Sequence, residues 1–316
     1  MCRAMSVATR TLCALMVALA WCDATSARDL EPLRVVSLAQ DRTEISGVLS
    51  LPDASNGRAP VMVILHGSAG TRAGREGRYA ELLGQAGIPT FVLDSFTARG
   101  VSSTTSDQRQ VATSTMIGDA LGALQVLAAH PAIDPARIGV MGFSKGATAA
   151  LGTAFEPYRR RFGVAPGLRF QVHVTAYPWC GLQFRAIATT GAPILMLLGE
   201  ADDYTRAQPC VDYAARIVAA GGKARTVVYP GAGHGFDGSE GPTRRLSRAE
   251  NYGGCFAWID DDTALIDPAT NRRMPDPTST RAFFSTCRTL GGTVGVHPEA
   301  KRRAAEDVLA FLRASL

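Results

Sequence analysis

The pentapeptide Gly142-Phe143-Ser144-Lys145-Gly146 lies between an apolar β-rich run, Arg137-Ile138-Gly139-Val140-Met141, and an alanine-rich helical stretch from Lys145 to Ala154. A strand that turns directly into a helix across G-x-S-x-G commits the chain to a βα unit, because larger side chains at 142 and 146 would collide in so tight a turn. Ser144 must then hold a strained backbone. Its hydroxyl is lifted clear of the sheet, at the positive end of the following helix. The bare pentapeptide also fits an ordinary glycine turn; the strand–turn–helix context makes Ser144 a candidate nucleophile.

The rest of the chain repeats this rhythm of short apolar runs and longer helical patterns, which predicts an α/β fold with a mostly parallel twisted sheet and helices on both faces. Arg34–Leu38 and Glu44–Leu51 read as an opening antiparallel pair, and Pro60–Leu65 as a strand buried on both faces. Further strands are expected at 90–93, 137–141, 170–175, 194–198 and 224–229, with helices at 78–86, 108–129, 145–154, 211–219 and 300–316. Residues 238–297 are rich in Gly, Pro, Asp and Arg and show weak periodicity, so they read as an insertion, a lid or a loosely folded flap within one domain spanning 28–316.

A serine hydroxyl needs a base. Of His66, His130, His173, His234 and His297, His234 is favoured: it sits in a glycine-rich loop past the strand where the fold delivers its base, Pro230-Gly231-Ala232-Gly233-His234-Gly235-Phe236, whereas His297 has no glycine context. His130 reads as a capping or surface residue and His173 as a packed, hydrogen-bonded core residue. The carboxylate that orients the base is expected after the strand between serine and histidine. Leu198-Gly199-Glu200-Ala201-Asp202-Asp203 supplies it, with Asp202 preferred, Asp203 the fallback, and Glu200 too close to the strand end. The order Ser144, Asp202, His234 is that of the α/β-hydrolase fold. An attacked carbonyl would find its two amide donors at Lys145 and in His66-Gly67-Ser68-Ala69-Gly70, where the Ser68 amide is favoured. His66 itself reads as a brace for this loop, and the Lys145 side chain as solvated.

As a set, the His66–Gly70 segment, Asp94-Ser95-Phe96, the Ser144 turn, Gly199-Glu200-Ala201-Asp202 and Gly233-His234-Gly235-Phe236 resemble the dienelactone hydrolase family, over about Pro60 to His234 and the last helix. Founding members use a cysteine nucleophile, and Ser144 stands in its place here. The resemblance therefore implies general carboxylic-ester hydrolysis through an acyl-enzyme, with no cofactor and no metal. A peptidase or amidase of the same fold, or a retired domain that binds a ligand, are the alternatives. Arg99, at a strand's carboxyl end, is a candidate fork for a substrate carboxylate, set against a loop-stabilising salt bridge. Tyr177 and Trp179 are further candidates for substrate contact.

Arg3 and Arg10 precede a short apolar run, 11–21, and a small-residue exit ending at Ala27. This pattern predicts a secretory signal peptide over 1–27, hence a periplasmic or extracellular protein with no stable membrane insertion after its removal. Cys180, Cys210, Cys255 and Cys287 would remain. An oxidising compartment suggests two disulfides from them. Three pairings are open; Cys180 with Cys210 and Cys255 with Cys287 is favoured, since the second bridge would brace the insertion. The net charge is +5, but the basic residues are scattered and no basic stripe carries interleaved aromatics, which argues against nucleic acid as a partner. A small-molecule ester is the expected substrate, and oligomeric state is left open.

Overall fold

The run Ala59–Leu65 is buried on both faces because its side chains alternate between two apolar clusters: Val61, Val63 and Leu65 in one, Met62 and Ile64 in the other. The computed structural model describes residues 29–51, 57–239 and 241–316, so the expected signal peptide lies outside the described residues. The chain opens with β1 (Asp29–Val36) and β2 (Glu44–Leu51), followed by β3 (Ala59–Leu65), α1 (Arg78–Gln85), β4 (Thr90–Asp94), α2 (Thr113–Ala129) and β5 (Ile133–Phe143). Past Ser144 come α3 (Lys145–Gly152), α4 (Glu156–Arg161), β6 (His173–Ala176), β7 (Leu182–Phe184), β8 (Ile194–Gly199), α5 (Ala207–Ala219) and β9 (Ala224–Tyr229). An eight-stranded sheet runs in the order β1-β2-β4-β3-β5-β6-β8-β9. β1, β2 and β4 pair antiparallel, and every pairing from β4 to β9 is parallel.

Residues of α2, α3 and α5 fill the cluster on one face of this sheet, and residues of α1 and the C-terminal helix fill the other. This is the expected α/β architecture. Several boundaries shift by a few residues, and one of the shifts bears on the site. The predicted helix from 108 starts only at Thr113, because Gln108 spends its backbone elsewhere: its N–H donates to Glu250 Oε2 at 2.7 Å and its carbonyl accepts from Lys145 Nζ at 2.6 Å.

Residues 238–297 have more regular structure than their composition suggests. They form β10 (Arg244–Asn251), β11 (Ala257–Ile259), β12 (Leu265–Ile266), β13 (Arg273–Met274), α6 (Pro277–Cys287) and β14 (Thr289–Val294), ahead of α7 (Pro298–Ser315). β10 pairs with β14, while β11–β13 extend from β7 as a small sheet in the order β13-β12-β11-β7. Strands of two or three residues carry too few positions for a period to show. α6 does carry a sequence signal: Asp276 accepts from the amides of Thr278 and Ser279, with Pro277 in the first turn. α7 places Ala300, Ala304, Val308 and Leu312 in the core at four-residue spacing, with His297 as its cap. Cys180 is bridged to Cys210 and Cys255 to Cys287. Among the described residues, no helix is long and apolar enough to cross a membrane.

Candidate active site

Ser144 falls between the end of β5 and the start of α3, at φ 52° and ψ −117°. A non-glycine residue in that region costs on the order of 1–3 kcal/mol and persists only where its surroundings impose it. They do so here. A Cβ at Gly142 would lie 2.2 Å from the Gly146 carbonyl oxygen, and one at Gly146 would lie 2.4 Å from that of His66. Both glycines are required by close backbone approach, and the Ser144 amide is tied to the Ala176 carbonyl at 2.9 Å.

The structure brings Ser144, His234 and Asp202 together. Ser144 Oγ lies 2.9 Å from His234 Nε2, and His234 Nδ1 lies 2.8 Å from Asp202 Oδ2. An ionised Asp202 can only accept, so the proton sits on Nδ1 and leaves Nε2 to accept from the serine hydroxyl. Burial pushes the Asp202 carboxyl up, but His234 and the amides of Thr205 and Tyr204 pull harder, and the net shift is downward. The Thr205 hydroxyl is 3.0 Å from Asp202 Oδ2, His234 Nδ1 and the Tyr177 carbonyl alike. Thr205 was not anticipated, although a threonine three residues after an aspartate is an Asx-turn pattern.

Neighbouring acids have other partners. Asp203 accepts the amide and hydroxyl of Thr293, at 2.7 and 2.8 Å, which joins β14 to this loop. Glu200 accepts the Gly231 amide at 2.9 Å and braces the histidine loop.

His66 is buried and, with burial as the main cause, its pKa is lowered, so the ring is neutral. Nδ1 donates to the Gly67 carbonyl at 2.9 Å and Nε2 accepts the Ser95 amide at 3.2 Å. The Gly70 amide also bonds the Gly67 carbonyl, so the peptide plane that carries the Ser68 amide is fixed from two directions. Lys145 is the first residue of α3, and its amide therefore lacks an intrahelical acceptor.

A cavity of about 210 Å³ opens over Ser144 and His234. Ser68, Arg75 and Tyr204 line it from the main fold; Arg244, Leu246 and Val294 line it from the insertion. The three other anticipated contacts do not line this cavity. Arg99 donates to both oxygens of the buried Asp119 at 2.9 Å and to Asp41, so its guanidinium is committed to a salt bridge. Tyr177 is fully buried: its hydroxyl donates to Asp237 Oδ1 at 2.6 Å and its ring stands edge-on to His234. Trp179 packs against Tyr252 and Phe284, joining the insertion to the main fold.

Two side chains depart from the roles first assigned. His173 is packed in the core as expected, but among the described residues neither ring nitrogen has a hydrogen-bond partner. The Lys145 side chain is buried rather than solvated, because the loop at 104–108 supplies its hydrogen-bond partners.

The sequence matches the dienelactone hydrolase family over residues 45–260. An uncharacterised protein of Mycobacterium tuberculosis is 31% identical over 216 residues, covering 63% of this chain and 71% of its own. Among solved structures, a dienelactone hydrolase-like promiscuous phosphotriesterase from metagenomic libraries superposes with a TM-score of 0.58 at 14% identity, covering 90% of this chain and 98% of its own. A thermophilic esterase from the Planctomycetes species Thermogutta terrifontis gives 0.51 at 15% identity, covering 67% and 84%. At such identities the two structures speak for the fold.

Proposed function

Because the chain belongs to the dienelactone hydrolase family, we propose that it is an exported serine hydrolase that cleaves a carboxylic ester of a small molecule through an acyl-enzyme. The observation that carries this reading is the hydrogen-bonded chain Ser144–His234–Asp202, with its serine on a strained turn beneath a cavity.

In this mechanism His234 Nε2 takes the proton as Ser144 Oγ attacks the ester carbonyl, and Asp202 stabilises the imidazolium that forms. The amides of Lys145 and Ser68 receive the oxyanion. Collapse expels the alcohol, protonated by His234, and leaves an ester on Ser144. Water then attacks the acyl carbonyl as His234 takes its proton, and collapse releases the acid while that proton returns to Ser144 Oγ. The sequence pattern of residues 1–27 and the two disulfides of the described chain support export to the periplasm or beyond.

The experiment is turnover of a p-nitrophenyl acyl-chain series by the purified protein beside Ser144→Ala. Turnover that the variant abolishes supports the reading, and the preferred chain length sizes the cavity. A folded wild type that hydrolyses none of the series, while a peptide or amide substrate is cleaved, would move the assignment to the amide bond; inertness to all of them would retire it.

A further inference from the structure

Lys145 follows the serine directly at the start of α3, and its side chain is buried. Nζ is buried against three acceptors, all in one loop: Thr104 Oγ1 at 3.2 Å, the Gln108 carbonyl at 2.6 Å and Gln108 Oε1 at 3.2 Å. Among the described residues, no carboxylate is a hydrogen-bond partner of Nζ. The acids that act on it from a distance, Asp107 and Glu250, are each paired already, with Arg109 and Arg288. A buried ammonium without a contacting counter-charge is costly, so it calls for a reason.

The loop that Lys145 grips is the loop that holds Ser68. Ser68 Oγ donates to Gln108 Oε1 at 2.9 Å. The Ser68 carbonyl accepts from the Thr104 amide at 2.7 Å and from Ser103 Oγ at 3.1 Å. From the insertion, Glu250 accepts the Gln108 amide, and the Tyr204 hydroxyl lies 3.5 Å from Gln108 Nε2. Gln108 is therefore the meeting point of Ser68, Lys145 and the insertion.

We propose that the Lys145 side chain is a positioning residue for the ester hydrolysis proposed above: as an ammonium it fixes Gln108, and through Gln108 it fixes the Ser68 side of the oxyanion site. One residue then presents one oxyanion donor with its own amide and steadies the segment that presents the other. The inference rests on the serine-hydrolase reading.

The charge on Nζ makes the proposal testable in a way that a merely structural role would not. Burial is the main cause that lowers the Lys145 pKa to about 7, with Asp107 and Glu250 pulling it back up. Lys145 must be charged, so activity falls as pH climbs through its titration. Lys145→Met is expected to lower kcat by about 10- to 100-fold, with KM little changed, and to erase the alkaline limb of the kcat profile. Gln108→Glu places a carboxylate against the ammonium and is expected to move that limb about one pH unit or more upward.

Both variants are to be assayed beside wild type and Ser144→Ala, with folding followed by circular dichroism. Wild-type kcat and an unchanged alkaline limb in a folded Lys145→Met would overturn the positioning role and leave the hydrolase intact. Should that variant fail to fold, Gln108→Glu decides: a moved limb supports the proposal and a stationary one defeats it. A wild type without Ser144-dependent turnover brings down the hydrolase reading and this inference with it.

Discussion

Thr293 donates its amide and its hydroxyl to the carboxylate of Asp203, at 2.7 and 2.8 Å, while the adjacent Asp202 accepts from His234 at 2.8 Å. Consecutive aspartates thus serve two different strangers in the sequence. The expected outcome is a clean division of effects. Asp203→Ala should lower stability by about 1 kcal/mol and leave kcat within a few-fold of wild type. Asp202→Asn should keep the fold and lower kcat by about 10⁴-fold, since the imidazole loses its orienting acceptor. Parallel chemical denaturation and ester kinetics on the two variants read both effects. Equal loss of kcat in the two would mean that Asp203 also serves the base.

Arg99 offers a second division. Its guanidinium covers Asp119, which is fully buried. Arg99→Met strands that carboxylate and should cost about 3 kcal/mol or more, while KM for a carboxylate-bearing ester stays unchanged. Urea melts and a KM comparison between anionic and neutral esters test this. A KM rise confined to anionic esters would restore Arg99 to substrate binding.

The bridge between Cys255 and Cys287 closes a loop across the insertion. Replacing both by serine should lower stability by about 2–4 kcal/mol. It should also raise KM, because Leu246 and Val294, in the strands that flank this loop, wall the cavity. Calorimetry with and without reductant measures the first effect: the double variant should be less sensitive to reductant than wild type.

His173 bears on acid stability. Burial is the main cause that lowers its pKa from 6.5 to about 3 in the fold, whereas the unfolded chain takes up the proton from 6.5 downward. The neutral ring therefore imposes no penalty above that pH, and stability is lost as pH falls from 6.5 toward 3, at about 1.4 kcal/mol per unit. His173→Leu removes the proton-binding difference. Its Tm should fall less than that of wild type between about pH 7 and about pH 5; an identical fall would show that His173 finds a partner on protonation.

What could be read from the sequence was local. The Ser144 turn is written in glycines within two residues, and the loops carrying Asp202 and His234 each follow an apolar strand, so order and spacing expose them. The parallel sheet was legible for the same reason: runs such as 59–65 and 194–199 are apolar throughout. Arg99 was left between two roles, and Lys145, Tyr177 and Trp179 were misplaced, because their partners arrive from elsewhere in the chain. Asp119 takes Arg99 out of contention from α2, and the loop at 104–108 covers Lys145. Asp237 takes the Tyr177 hydroxyl from the loop after His234, and Phe284 packs on Trp179 from α6. No window of residues contains that information. Nor could the insertion's short strands announce themselves, since a period needs more than two or three positions to be seen.

The last residues of the insertion have a role in time as well as in space. The Gly295 amide bonds the His234 carbonyl at 3.1 Å, and the His297 amide bonds that of Phe236 at 2.9 Å. A chain still being made holds Ser144, Asp202 and His234 long before it holds these two donors. The backbone seat of His234 is thus completed late, once the C-terminal segment has returned to the loop that carries it.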